Sequence, residues 1–235
     1  MHKKYDKLLF LSIIVLLIFG SIMIYSASSI WAQYKFNDSF HYVKQQALFI
    51  FIGLILIRII LKVDYNKYYE KANIILGICF LLLILVLIPG IGTVRNGSRS
   101  WFGIGPFGIQ PSEFAKLGLI IFTSKYLSNS NKFLKSYKKG VFPILGVMLL
   151  FFGLIMLQPD LGTGLVLAMT IVSLLFIAGV NMKFFFGVGI LGVIGVIILI
   201  IIAPYRMDRI TAFVNPWKDP LGTGFQIIQS LYAIG

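Results

Sequence analysis

Asp219 stands in the most chemically loaded stretch of the sequence. Between Ala203 and Ser230 it is accompanied by Arg206, Asp208, Arg209 and Lys218, with Pro216, Trp217 and Pro220 around it. A carboxylate flanked by fixed cations at a membrane surface suits group transfer from a lipid-linked anionic donor. The carboxylate would take the proton of an attacking hydroxyl while the cations stabilise a leaving phosphate. A plainer use of the same residues is a helix start, with Asp219 as N-cap, Pro220 at the first helical position, and Gly222 and Gly224 easing a turn. That use accounts for Asp219 but not for the surrounding cluster.

Two further patches hold polar residues that lipid would exclude. The first runs from Arg95 through Arg99 and Trp101 to Glu113 and Lys116. Pro111 suits the first turn of a helix, so Ser112 and Glu113 lie near its positive end, where a carboxylate is stabilised. Lys116 follows Glu113 by three residues on the same face and is close enough to pair with it. This is either a structural ion pair or part of a wet groove, because a pair facing acyl chains would be costly. Trp101 suits an interfacial anchor equally well. The second patch, Gln158-Pro-Asp-Leu-Gly-Thr-Gly164, is a tight turn in which Asp160 can cap a helix, serve the groove, or both.

Other chemistries are excluded. With only His2 and His41 there is no Ser/His/Asp set and no His-rich metal site. No Walker loop occurs, which disfavours an ATP-driven transporter, and Gly103-Ile-Gly-Pro-Phe-Gly108 matches a dinucleotide fingerprint only literally, since it contains Pro106 and opens no βαβ unit. The lone Cys79 sits in an apolar run and reads as a packing residue.

The elements that must position these groups are membrane helices. A hydrophobic share of 58%, a charged share of 12% and a mean hydropathy of +0.92 are far from those of a soluble domain. Seven apolar runs approach the length a bilayer requires: Leu8 to Ser28, Val43 to Lys62, Asn73 to Ile91, Ser112 to Leu127, Val141 to Leu157, Gly162 to Val180 and Phe184 to Ala203. Helices are required because a lone segment in lipid must satisfy its own backbone. The sequence thus predicts an all-α, polytopic bundle of seven transmembrane helices. Lys3, Lys4 and Lys7 precede a first run long enough to be a retained signal anchor. Lys67, Lys71, Lys125, Lys132, Lys135, Lys138, Lys139 and Lys183 fall on the same side, which places the N-terminus in the cytoplasm. The net charge of +13 reflects this topology and anionic headgroups rather than nucleic acid. Residues 204–235 then form a large external loop, and the end at Ser230 to Gly235 reads as that of a fragment of a longer chain.

Several ordered motifs resemble the SEDS family of bacterial shape, elongation, division and sporulation proteins. They are Tyr25-Ser-Ala-Ser28, Asn96-Gly-Ser-Arg-Ser-Trp101, Gln110-Pro-Ser-Glu-Phe-Ala-Lys-Leu117, Gln158-Pro-Asp-Leu-Gly-Thr163 and the stretch from Phe213 to Gly235. The Asn215-Pro-Trp217 form is nearer to the FtsW and SpoVE branches than to RodA. Family members usually have ten helices, so the resemblance implies one SEDS-type domain over residues 1–235, incomplete at its C-terminus. It further implies a peptidoglycan glycosyltransferase that polymerises lipid II at the outer face of the bacterial cytoplasmic membrane during division, elongation or sporulation. The partners implied are a class B penicillin-binding protein and other membrane proteins of the division or elongation machinery. Asp219 matches the family's essential loop aspartate and is the candidate catalytic base. Arg206, Arg209, Lys218, Trp101, Arg99, Glu113, Lys116 and Asp160 are the candidate substrate-binding residues. No bound cofactor is read from the sequence, and a divalent cation, magnesium or manganese, on the diphosphate is the one candidate. A lipid II flippase and a non-catalytic scaffold are the competing readings, and a flippase would need polar residues at mid-depth.

Overall fold

The computed structural model describes residues 6–95, 97–103, 108–128, 137–202 and 204–234, with backbone alone at 204–206 and 209. All seven apolar runs form helices: α1 (Lys7–Phe36), α2 (His41–Ile60), α3 (Tyr65–Leu87), α4 (Pro111–Ser128), α5 (Phe142–Met156), α6 (Leu161–Ile177) and α7 (Met182–Ile202). A π-helical turn, Tyr137–Val141, leads into α5. Five of these helical segments, with that turn counted into α5, are long and apolar enough to cross a membrane. The others are α4, which carries Glu113, Lys116 and Lys125 in 18 residues, and α6, which is apolar but 17 residues long. The chain is an all-α multi-pass membrane protein.

The chain packs as two compact units, residues 1–70 and 71–235. In the first, α1 opens on Asp6, whose carboxylate accepts from the N–H groups of Leu8 and Leu9. It closes on Asn37 at φ 54°, a left-handed position that asparagine tolerates. The 30 residues of α1 span about 45 Å at 1.5 Å per residue, longer than a hydrocarbon core of about 30 Å. After the short turn, α2 packs on α1, with Tyr25 stacked on Phe40 at 4.7 Å and Phe36 on His41 at 3.9 Å. Asp38, in the turn between α1 and α2, accepts from Lys44 Nζ at 2.8 Å and from the Phe40 N–H. The Lys44 ammonium first, and that N–H second, hold its carboxyl below the ordinary value.

The second unit holds the buried core. Leu167, Ile171 and Leu175 of α6 recur every four residues and meet Ile144, Phe151 and Ile155 of α5, Leu119 of α4 and Leu83 of α3. Glycine permits close helix approach. A Cβ at Gly118 would lie 2.8 Å from Cys79 Sγ, and one at Gly164 would lie 2.8 Å from Met156 Cε. Cys79 also donates to the Phe114 carbonyl at 3.3 Å, so its thiol is a packing group, as its place in an apolar run implied. By contrast α7 buries no residue at all, so every side of it is suited to lipid.

Two features depart from the sequence reading. Strands β1 (Thr93–Arg95) and β2 (Ser98–Trp101) form an antiparallel hairpin turned at Gly97, φ 81°, where a run of loop was expected. Residues 204–235, expected as a loop, contain α8 (Pro204–Val214), a 3₁₀ turn (Pro216–Lys218) and α9 (Phe225–Ile234).

Candidate functional site

The hairpin and the ends of α4, α5 and α6 build one polar region. Pro111 opens α4 and places Glu113 in its first turn. Lys116 Nζ pairs with Glu113 Oε1 at 2.8 Å, the i, i+3 pair that the spacing predicted, with the lysine side chain more enclosed than the glutamate. Asp160 caps α6 by accepting from the Thr163 N–H at 3.1 Å. Its other oxygen accepts from Gln110 Nε2 at 3.0 Å, which ties the residue before α4 to the start of α6. Glu113, Lys116 and Asp160 thus belong to two adjoining helix starts, but the carboxylates engage different partners, Lys116 for Glu113 and Gln110 for Asp160.

Behind them the hairpin docks on the α5–α6 turn. Ser98 Oγ donates to the Gln158 carbonyl and shares a 3.0 Å hydrogen bond with Ser100. Gln158 is fully buried, and among the described residues neither end of its side-chain amide has a partner. The same holds for the buried Ser112 hydroxyl. Unmet buried polar groups cost about 1–3 kcal/mol each, so these atoms are set for a polar guest or water. Gln158 and Ser112 were not singled out from the sequence as site residues; their places inside Gln-Pro-Asp and Gln-Pro-Ser-Glu were the available signal.

Arg99 and Trp101 serve the hairpin. Arg99 Nη1 donates at 3.4 Å to the carbonyl of Leu87, the last residue of α3, where a cation complements the helix dipole. The Arg95 guanidinium lies over the Trp101 ring, 5.0 Å from its centroid, and a Cβ at Gly108 would come within 2.7 Å of that guanidinium. Asn96 and Ile104 to Phe107, including most of the literal dinucleotide pattern, lie outside the described residues.

Asp219 follows the 3₁₀ turn and is exposed. One oxygen accepts from the Gly222 N–H at 3.1 Å, and the other accepts from the Thr223 N–H at 2.8 Å and the Thr223 hydroxyl at 3.2 Å. The Thr223 N–H is the main cause holding its carboxyl below the ordinary value; desolvation, next in size, opposes it, and the threonine hydroxyl and the Gly222 N–H add to the lowering. The capping reading is corrected in form: Asp219 closes the turn over residues 220–224, Pro220 belongs to that turn, and α9 starts later at Phe225. Two glycines make the turn possible. A Cβ at Gly222 would lie 2.2 Å from Asp219 Oδ2, and one at Gly224 would lie 2.0 Å from the Pro216 carbonyl oxygen. Lys218 is exposed beside Asp219, while the side chains of Arg206 and Arg209 lie outside the described residues. Among the described residues no group of three or more His, Cys, Asp or Glu is placed to hold a metal ion.

The model of a family described as cell cycle protein, FtsW, RodA and SpoVE, matches residues 6–235. The stage V sporulation protein E of Bacillus subtilis is 51% identical over 230 residues, 98% of this chain and 63% of that protein. A probable peptidoglycan glycosyltransferase FtsW of Geobacter sp. strain M18 is 37% identical over 231 residues, again 98% of this chain and 63% of the relative. Among solved structures, a chain from a peptidoglycan synthase complex that coordinates polymerization and crosslinking aligns with a TM-score of 0.69 at 31% identity, over 93% of this chain and 64% of that one. The rod shape determining protein RodA of Thermus thermophilus aligns with a TM-score of 0.55 at 28% identity, over 76% of this chain and 58% of its own. The chain therefore spans about three-fifths of the length of the curated relatives it matches.

Proposed function

The chain belongs to the FtsW/RodA/SpoVE family of cell cycle proteins, and from that membership we propose that the protein it represents is a peptidoglycan glycosyltransferase. Its substrate is lipid II, the undecaprenyl-diphosphate-linked disaccharide pentapeptide, polymerised at the outer face of the bacterial cytoplasmic membrane, with the N-terminus inside. The names of the FtsW relatives and of the synthase complex support this reading.

The observation that carries it is the state of Asp219, which is exposed, ionised and oriented by its own turn. In the proposed step it takes the proton of the acceptor sugar hydroxyl as that oxygen attacks the donor anomeric carbon. The carbon–oxygen bond to the lipid diphosphate breaks, and the diphosphate leaves with the electron pair. A carboxyl held below its ordinary value is a weak base. The donor's negative diphosphate, once bound nearby, raises that value, so basicity is gained as substrate arrives. Lys218, Arg206 and Arg209 supply positive charge on the same stretch of chain for the leaving group. Glu113, Lys116 and Asp160 line the helix starts that receive the polar part of the substrate. A magnesium or manganese ion would be held mainly by the substrate's phosphate oxygens, which chelation followed by re-addition tests.

A class B penicillin-binding protein is the proposed partner, in line with the synthase complex that the chain resembles. The flippase reading gains no specific support, since Arg58 stands in the last turn of α2 and Glu113 in the first turn of α4, at helix ends rather than mid-depth. The deciding experiment is polymerisation of purified lipid II by the full-length protein, with and without its partner. Glycan strands of many disaccharides are expected, and their absence in the complete, partnered, folded protein would reject the assignment.

A further inference from the structure

The chain around Asp219 exposes far more apolar surface than a solvated loop tolerates. Helix α7, apolar on all sides, ends at Ile202, and α8 begins at Pro204. Proline at the first helical position restricts the residue before it, so a new helix starts there rather than the old one continuing. Along α8, Met207, Ile210 and Val214 recur at helical spacing and are exposed, with Phe213 beside them at 78% exposure. Asp208 falls on the other side, while Thr211 neighbours Met207 and Val214. In α9, Phe225, Leu231, Tyr232 and Ile234 are exposed around the buried Ile228, and Gln226, Gln229 and Ser230 occupy the other side. Between the helices Leu221 is 90% exposed, and Trp217 meets Tyr232 edge-on at 6.1 Å.

We propose that α8, the Asp219 turn and α9 lie in the outer headgroup–acyl boundary of the bilayer, with lipid as the partner that covers these apolar rows. Three observations select lipid. The segment is covalently continuous with a lipid-suited helix. The first of its helices, α8, has 11 residues, whereas crossing needs about 20, so it is long enough to lie on a bilayer but too short to span it. The Trp217–Tyr232 pair is of the aromatic type that gathers at the interface. Resting on the polymerase reading, the consequence is that Asp219 is held at the depth of a lipid-linked diphosphate. The interfacial placement itself needs no assumption about activity.

The test uses the full-length protein, freed of native cysteines, in nanodiscs of phosphatidylglycerol and phosphatidylethanolamine. Nitroxides at Phe213→Cys, Leu231→Cys, Asp208→Cys and Gln229→Cys are read for access to oxygen and to a nickel chelate. Positions 213 and 231 should favour oxygen several-fold, and 208 and 229 should favour nickel. Nickel access at 213 and 231 would overturn the proposal, and so would exclusion of both reagents, which would mean that protein covers the rows. A form retaining Trp217 as its single tryptophan, and otherwise unlabelled, should be quenched by brominated lipids; absence of quenching would also overturn it. Activity is scored separately with Asp219→Asn. A lipid-bound profile with an active Asp219→Asn protein rejects the base and keeps the interface, and a water-exposed profile with an inactive variant does the reverse.

Discussion

Asp160 and Asp219 both close a turn on backbone N–H groups, yet the two turns are built on opposite plans. Asp160 divides its oxygens between the cap of α6 and Gln110, fifty residues away in sequence, so its lone pairs tie two helix starts together. Among the described residues, every hydrogen bond to the Asp219 side chain comes from within four residues. A carboxylate that joins two elements serves architecture whatever else it does. Asp219 accepts three such bonds and Asp160 two, so the difference lies not in spare lone pairs but in exposure: the Asp219 carboxylate is oriented by its own turn at the surface, where a ligand can reach it.

The largest expected effect follows from that contrast. In the complete protein, Asp219→Asn should lower the polymerisation rate by about 10²- to 10⁴-fold, the usual range for a lost general base, while folding and lipid II binding persist. The amide keeps the size and much of the hydrogen bonding but cannot accept the proton. Measured turnover near wild type in a folded Asp219→Asn protein would break the comparison at its centre.

Next in size is the frame of the Asp219 turn. Gly224→Ala would bring a Cβ to 2.0 Å from the Pro216 carbonyl oxygen, so the turn must open and Asp219 must shift. Misplacement by about 1 Å can cost on the order of 10²-fold in rate, and a loss of that order is expected here with a proportionally smaller loss of stability, since Gly224 is buried against Pro216 but residues 219–223 of the turn are exposed. Equal losses of rate and stability would show that this turn, too, is architectural.

Asp160→Ala should show the complementary pattern. Loss of a cap costs about 0.5–2 kcal/mol, and the Gln110 amide loses its partner as well, so the expected destabilisation is about 1–2 kcal/mol by detergent-based unfolding. The rate at saturating substrate should fall less than in Asp219→Asn. A rate loss as deep as that of Asp219→Asn, without destabilisation, would move Asp160 from architecture to chemistry.

The sequence made most of this legible, for physical reasons that differ by residue. Each of the seven apolar runs is a helix because a bilayer leaves a lone segment no other way to pair its backbone. The Glu113–Lys116 pair and the Asp160 cap were readable because both depend on local spacing. The link from Gln110 to Asp160 and the burial of Gln158 were not, since they depend on which helices become neighbours. The hairpin, too, has a local signal: Asn96-Gly97 between Thr93-Val94-Arg95 and Ser98-Arg-Ser-Trp101 is a strong turn sequence, although the charges in its short strands blur their alternation. Residues 204–235 read as loop because Pro, Gly and charge outweighed the helical spacing of their apolar residues. Pro204 starts a helix there, and Gly222 and Gly224 shape a turn between two short ones.

The smallest expected effect decides what the Glu113–Lys116 pair is for. As a bare i, i+3 ion pair with the glutamate mostly exposed, its coupling in a double-mutant cycle of Glu113→Gln and Lys116→Met should be about 0.2–0.5 kcal/mol of stability. An architectural pair would show that coupling and nothing more, with rates unaltered in both single variants. A pair that receives substrate behaves otherwise, because lysine bound to a phosphate or sugar is used whether or not Glu113 is present. Lys116→Met should then raise the KM for lipid II more than Glu113→Gln does, with stability nearly equal in the two. Measuring KM and unfolding in the same four proteins separates these cases. Unchanged KM in all of them would place Glu113 and Lys116 with Asp160 on the architectural side, leaving Asp219 and its neighbouring cations to carry the chemistry.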